Sequence, residues 1–232
     1  MSVGFRVYTK RNLPPQELVE AFRHIPASNI ADTMNRLCAI HSDIHLMTKP
    51  GDGNMVGVAL TVKARPGDNL MLHKALNMIE PGDVVVVSNE GDRSQSLMGE
   101  VMAAYAKSRG VAGFVFDGPM RDIDSLYDGG VPFYATGTTP GGPFKEGPGE
   151  INVPIACGGI MVNPGDIIVG DPDGVIVIPR RDAERVLEAA RKFMEQDQSK
   201  LKAAQEGHAT RDWVDEKLEE KGCEIIDDAY PA

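Results

Sequence analysis

Residues 84–87, Val-Val-Val-Val, restrict the fold of this chain more than any other stretch. A strand with one wet face alternates apolar and polar side chains, whereas an unbroken β-branched run is buried on both faces, as at the centre of a parallel sheet. Pro81-Gly82-Asp83 opens the run as a turn, and a polar, glycine-bearing loop from Ser88 onward follows it. The Ala- and Met-rich residues 97–106 then read as a helix start, closed by the cationic turn around Lys107 and Arg109 and by Gly110 as a C-cap. A second apolar run, Phe114-Val115-Phe116, stops at Asp117-Gly118-Pro119-Met120, and Arg121-Asp122 come directly after it. Strand, loop, helix, turn, strand, loop is a crossover unit that brings both loops to one end of a sheet. Glu100 is therefore expected to face Arg121 and Asp122 although twenty residues separate it from the arginine.

Those groups point to a definite chemistry. The first N–H groups of a helix lack partners and attract anions. A guanidinium offers a fork of donors to a carboxylate. One or two carboxylates are what a hard divalent cation such as Mg²⁺ needs from a protein, since it keeps several of its waters. The pattern is that of a site for a metal and a small carboxylate.

The rest of the chain supports an α/β domain. Residues 13–22 and 28–37 read as helices, the second capped by Ser28 with Ile30, Met34 and Leu37 on its buried face. Residues 54–62 alternate as a strand, 69–79 read as a helix, and 131–135 as an edge strand because of Pro132. Residues 137–149, rich in Gly, Pro and Thr, read as a long loop or lid. Residues 151–156 and 159–162 are strand-like, and 167–178, turned at Asp171-Pro172-Asp173-Gly174, form a hairpin. Pro164-Gly165-Asp166 repeats the earlier turn phrase. Past Pro179 come a long charged helix over 182–206 and a short one over 210–221 around Trp213, so the expected division is a domain over 1–180 and a helical extension over 181–232 that is not an independent domain.

A net charge of −10 weighs against nucleic-acid binding. No run of about eighteen apolar residues predicts a membrane span, and residues 1–12 lack the apolar centre of a secretory leader. Three widely spaced cysteines, Cys38, Cys157 and Cys223, fit reduced thiols and a cytoplasmic setting.

Taken in order, Pro81-Gly82-Asp83-Val84-Val85-Val86, Gly99-Glu100, Gly113-Phe114-Val115-Phe116-Asp117-Gly118, Arg121-Asp122 and residues 165–175 resemble the RraA-like family, over about residues 26–200. The resemblance implies a swivelling β/β/α layered domain with mixed sheets, assembled as homotrimers or homohexamers with sites between neighbouring subunits. It further implies a class II, divalent-metal-dependent aldolase that cleaves a 4-hydroxy-2-oxo di- or tricarboxylate to pyruvate and a second oxo acid, with oxaloacetate decarboxylation as a side activity. Asp122 matches the direct ligand of Mg²⁺ or Mn²⁺, and Arg121 the arginine that holds substrate. The backbone N–H groups of Gly99, Glu100, Val101 and Met102 match the cradle of the pyruvyl carboxylate, and Glu100 the acid that reaches the metal shell through water. This chain departs from the common pattern in carrying Glu100 where Asp is frequent and Ser125, preceded by Asp124, where many members place an acid. The family also contains a regulator of ribonuclease E, so binding of a protein partner is the alternative function. A methyltransferase reading lacks the usual glycine-rich nucleotide loop.

Each residue also has a plainer reading. Arg121-Asp122 could be a surface turn pair, and Glu100 a helix N-terminal acid. His41 and His45 have a metal-like spacing without a supporting cysteine signature. Cys157 lacks a recognisable histidine partner, and Arg93 and Lys145 are outlying candidates for a second substrate carboxylate.

Overall fold

The phrase Pro-Gly-Asp makes the same turn twice. The Asp83 N–H donates to the Glu80 carbonyl and the Asp166 N–H to the Asn163 carbonyl, each at 3.1 Å. Gly82 and Gly165 sit at φ +91° and +89°, the left-handed third position of a type II turn with proline second. Each aspartate folds back on its turn, Asp83 Oδ2 accepting the Glu80 N–H and Asp166 Oδ2 the Asn163 N–H, both at 2.9 Å. Each turn feeds directly into a buried strand.

The computed structural model describes residues 3–230. The chain divides into two units, Met1–Met194 and Glu195–Ala232. The first contains β1 (Phe5–Val7), α1 (Gln16–Glu20), α2 (Ala27–Thr33), β2 (His45–Leu46), β3 (Met55–Ala64), α3 (Leu70–Leu76), β4 (Asp83–Ser88), α4 (Glu100–Ser108) and β5 (Gly113–Asp117). It continues with α5 (Ile123–Tyr127), β6 (Phe133–Ala135), β7 (Gly149–Ile151), β8 (Ile155–Cys157), β9 (Ile160–Val162), β10 (Ile167–Asp171), β11 (Gly174–Ile178) and the first turns of α6 (Ala183–Gln205).

The main sheet runs β1-β7-β3-β4-β5-β6-β2, with β3, β4, β5 and β6 mutually parallel. The valine run lies at its centre, and Val84, Val85, Val86 and Val87 are fully buried. The long β3 is shared: residues 55–58 pair antiparallel with β10 and residues 62–64 with β7. On one face Val85, Val87, Phe114 and Phe116 pack against α3 and α4, through Leu72, Ala103 and Ala106. On the other, Val84, Val86 and Val115 pack against the β8–β9 ribbon, through Ile155, Cys157 and Val162. The hairpin β10–β11 turns Ile167, Val169, Ile176 and Ile178 toward α1, α2 and the start of α6. The result is a mixed α/β architecture in layers, as the valine run and the family resemblance predict.

Three local expectations need correction. Residues 131–135 do not form the sheet edge, because β2 pairs beyond β6. Pro132 lies just outside the strand and contributes only its carbonyl, which accepts the Phe114 N–H at 3.0 Å. The second helix begins at Ala27, not after a Ser28 cap, and the carboxylate that caps it comes from far away: the Ala27 N–H donates to Asp171 Oδ2 at 2.8 Å. That helix ends early because Asn35 and Arg36 adopt φ of 56° and 60°, which leaves Leu37 73% exposed instead of buried. The 137–149 loop is not a free lid. Its backbone is tied at Thr139 to Met120, at Gly141 to Ser96 and at Phe144 to Gly67 and Asn69.

The second unit, Glu195–Ala232, holds the end of α6 and α7 (Asp212–Glu220), a helix with no buried residue. Trp213, Ile225 and Ile226 are exposed. Among the described residues no helix is long and apolar enough to cross a membrane.

Candidate functional site

β4 and β5 end side by side, Ser88 opposite Asp117, so the loops that leave them share one end of the sheet. Two backbone bonds then lock the loops together. The Leu97 N–H donates to the Pro119 carbonyl at 2.9 Å, and the Arg121 N–H to the Met98 carbonyl at 3.0 Å. This short ladder carries Arg121-Asp122 onto the N-terminus of α4.

Contact at that point is intimate. Asp122 takes a left-handed conformation, φ 60° and ψ 38°, which is uncommon for a residue with a side chain and concentrates at functional sites. Its Oδ2 accepts the Glu100 N–H at 3.0 Å and lies 3.6 Å from Arg121 Nε. A Cβ on Gly99 would lie 2.2 Å from that same oxygen and 3.1 Å from Arg121 Nε. Glycine is required there by close approach, since its backbone is extended. The N–H groups of Val101 and Met102 belong to the same first turn, which has no intrahelical acceptors.

Beside this contact lies a cleft of about 520 Å³ lined by Glu100, Arg121, Asp122, Asp124, Ser125 and Thr139, among others. The side chains of Arg121 and Asp122 are 45% and 41% exposed. Gly142 stands close to the Arg121 guanidinium. Glu100, Arg121 and Asp122 are thus brought together as the crossover predicts, and Asp124 and Ser125 join them.

A buried clamp that sequence reading missed holds the approach to α4. Asn69, 1% exposed, donates from Nδ2 to the Leu97 carbonyl at 2.9 Å, while its own N–H bonds to the Phe144 carbonyl. Asp68 accepts the N–H groups of Leu70, Glu146 and Gly147. Arg65-Pro66-Gly67-Asp68 signals a turn in the sequence, but nothing local indicates that the turn ties three segments together.

The other candidates fall elsewhere. Arg93 donates to Asp43 Oδ2 at 2.7 Å in an exposed pair, and neither it nor Lys145 lines the cleft. His45 Nδ1 lies 3.1 Å from the Asp43 carbonyl. Cys157 is fully buried, and burial pushes its thiol well above the ordinary range, with the Asp117 charge adding to the shift and a hydrogen bond to the Asp117 backbone opposing it; it is an inert core group. Among the described residues, no group of three or more His, Cys, Asp or Glu side chains is placed to hold a metal ion. The cleft instead offers the exposed carboxylates of Glu100, Asp122 and Asp124, which do not converge as a set of three, so an ion there would take one or two of them. Asp122 Oδ2 is engaged by a backbone N–H, while its Oδ1 makes no hydrogen bond among the described residues. Hard oxygen donors in that number fit a cation that retains water, such as Mg²⁺ or Mn²⁺, and do not fit a closed zinc site.

A layered α/β domain with acids, an arginine and a helix start gathered where parallel strands end is a fold with a ligand cleft of the open α/β kind. The family model described as RraA-like (Aldolase/RraA) matches residues 27–177, and the chain belongs to that family. A relative from Halalkalibacterium halodurans, named "Putative 4-hydroxy-4-methyl-2-oxoglutarate aldolase", is 40% identical over 187 residues, spanning 81% of this chain and 88% of that protein. Among solved structures, an uncharacterized protein from Pseudomonas syringae matches with a TM-score of 0.73 at 26% identity, over 86% of this chain and 96% of that one. Streptomyces coelicolor RraAS2, described as an unusual member of the RNase ES inhibitor RraA protein family, matches with a TM-score of 0.72 at 27% identity, over 82% and 98% of the two chains.

Proposed function

We propose that the chain is a class II aldolase, dependent on Mg²⁺ or Mn²⁺, that cleaves a 4-hydroxy-2-oxo di- or tricarboxylate to pyruvate and a second oxo acid. The observation that carries this reading is the junction at Gly99: Asp122 lines an open cleft beside Arg121 and holds the Glu100 N–H with one oxygen, while the other has no hydrogen bond among the described residues. The name of the 40% identical relative supports the same class of reaction.

Breaking the C3–C4 bond of such a substrate leaves its electron pair on the pyruvyl fragment as an enolate, while the C4 hydroxyl loses its proton and becomes the carbonyl of the second product. When bound, the divalent cation supplies Lewis-acid stabilisation of that developing charge. Asp122 would be its direct protein ligand. Arg121 would bind the substrate carboxylate or the enolate oxygen with paired donors. Of the four N–H groups expected to cradle the pyruvyl carboxylate, that of Glu100 is taken by Asp122 Oδ2, and those of Gly99, Val101 and Met102 would orient it, with the helix N-terminus favouring negative charge. Glu100 would accept the hydroxyl proton through a water and return one to C3 of the enolate. Oxaloacetate decarboxylation would follow as a side reaction because it passes through the same enolate. A homotrimer or homohexamer in the cytoplasm, with the cleft completed by a neighbour, belongs to the same reading.

Pyruvate release from 4-hydroxy-4-methyl-2-oxoglutarate, followed with Mg²⁺ and then with excess chelator, tests it. Release that the chelator abolishes supports the proposal; no release from any hydroxy-oxo acid in the presence of Mg²⁺ or Mn²⁺ refutes it. The similarity to RraAS2 favours one rival, a regulator that binds a ribonuclease; inhibition of such a nuclease by a chain lacking lyase activity would establish that instead.

A further inference from the structure

At the opposite end of the sheet, where β4 begins, a second cleft of about 530 Å³ matches the first in size and differs from it in charge. Lys10, Arg11, Arg180 and Arg181 line it, in a chain whose net charge is −10. Arg11 is neutralised, since its guanidinium, 5% exposed, bonds both oxygens of Asp83 at 2.7 and 2.8 Å. Lys10, Arg180 and Arg181 form no ion pair among the described residues. The two acids on the wall are committed: Asp166 accepts the N–H groups of Asn163 and Arg180 and the Asn163 amide, and Asp182 pairs with Arg185 at 2.7 Å. Asn152 also lines the cleft, 7% exposed and with its backbone at φ 56°. Its Nδ2 donates to the Tyr8 carbonyl at 2.8 Å, but its Oδ1 is buried without any donor among the described residues.

We infer that this cleft is a second ligand site, distinct from the candidate active site, for a small multivalent anion that also carries a hydroxyl donor. Three unpaired cations supply the charge recognition. Asn152 Oδ1 is an acceptor awaiting a donor, and a site built to bond a hydroxyl discriminates against the analogue that lacks it. Neither feature touches Arg121, Asp122 or Glu100, so the inference stands whatever reaction occurs at the other cleft.

Isothermal titration with citrate and with tricarballylate, its analogue without the hydroxyl, tests the site in the full-length chain, with Mg²⁺ absent so that the anions are not sequestered. Citrate is expected to bind more tightly than tricarballylate. Affinity should fall roughly tenfold or more in R180E/R181E, fall less in R180Q/R181Q, and stay unchanged in Arg121→Ala. Thermal melting confirms that the variants are folded. Citrate binding that is absent in the wild type, that survives charge reversal, or that disappears in Arg121→Ala would overturn the inference. So would a change in oligomeric state on charge reversal with citrate affinity intact, which would make the cleft a contact between copies. Equal affinity for the two anions would remove the role given to Asn152.

Discussion

The acids at the turns and the acids of the candidate site are chemically alike, yet they are treated oppositely by the fold. Asp68, Asp83 and Asp166 are 2%, 3% and 4% exposed, and their oxygens are occupied by backbone N–H groups or by Arg11. Each closes a turn or joins distant segments. Asp122, by contrast, is 41% exposed at the side chain and has one oxygen without a hydrogen bond among the described residues. A buried carboxylate contributes to stability only when all its partners are present. An exposed one with a spare oxygen contributes little to stability and is available to a ligand. Removing acids of the two kinds should therefore separate folding from function.

The largest expected effect is on turnover at the cleft. Asp122→Asn should reduce pyruvate release by roughly a hundredfold or more, and Arg121→Ala by a comparable factor, with melting temperatures close to wild type. A large loss of stability with activity per folded molecule preserved would place Asp122 among the turn acids. Next comes the reverse case. Asp83→Asn breaks a buried pair with Arg11 and should cost about 3–5 kcal/mol of unfolding free energy, measured by urea denaturation, while the folded fraction keeps its activity. Asn69→Ala lies between the two classes. It should cost about 1–3 kcal/mol, because the buried Leu97 carbonyl loses its side-chain donor, and should also lower kcat as the approach to α4 loosens. A loss of stability with kcat unaltered would show that the clamp does not position the site.

The smallest effect concerns Asp117, at the end of β5. Burial raises its carboxyl above the usual range, opposed by the Gly91 N–H and by Arg93. An acid with a raised folded pKa holds its proton better in the native state, so its ionisation lowers stability as pH rises from the unfolded value through the folded one. Asp117→Asn should therefore raise the melting temperature modestly at pH 7 and not at pH 3.5. A gain at both pH values would trace the effect to something other than charge.

The same contrast explains what could be read from the sequence. Residues 84–87 and 114–116 announced central strands because burial on both faces leaves no polar positions. Pro-Gly-Asp and Asp-Pro-Asp-Gly announced turns because each residue type there answers a backbone need. Glu100, Arg121 and Asp122 could be placed together because a crossover unit returns its loops to one sheet end. The cap of α2 by Asp171, the shielding of β6 by β2 and the anchoring of residues 137–149 through Asp68 and Asn69 were not legible. Each rests on a hydrogen bond between segments far apart in the chain, and neither periodicity nor turn chemistry carries such information.

A crystal structure with Mn²⁺ and oxalate, a mimic of the pyruvate enolate, would test the central claim most directly through the anomalous signal of the metal. The account predicts a single strong peak within coordinating distance of Asp122, with oxalate between it, Arg121 and the first turn of α4. Manganese bound elsewhere, or oxalate held without Arg121 and Asp122, would contradict it.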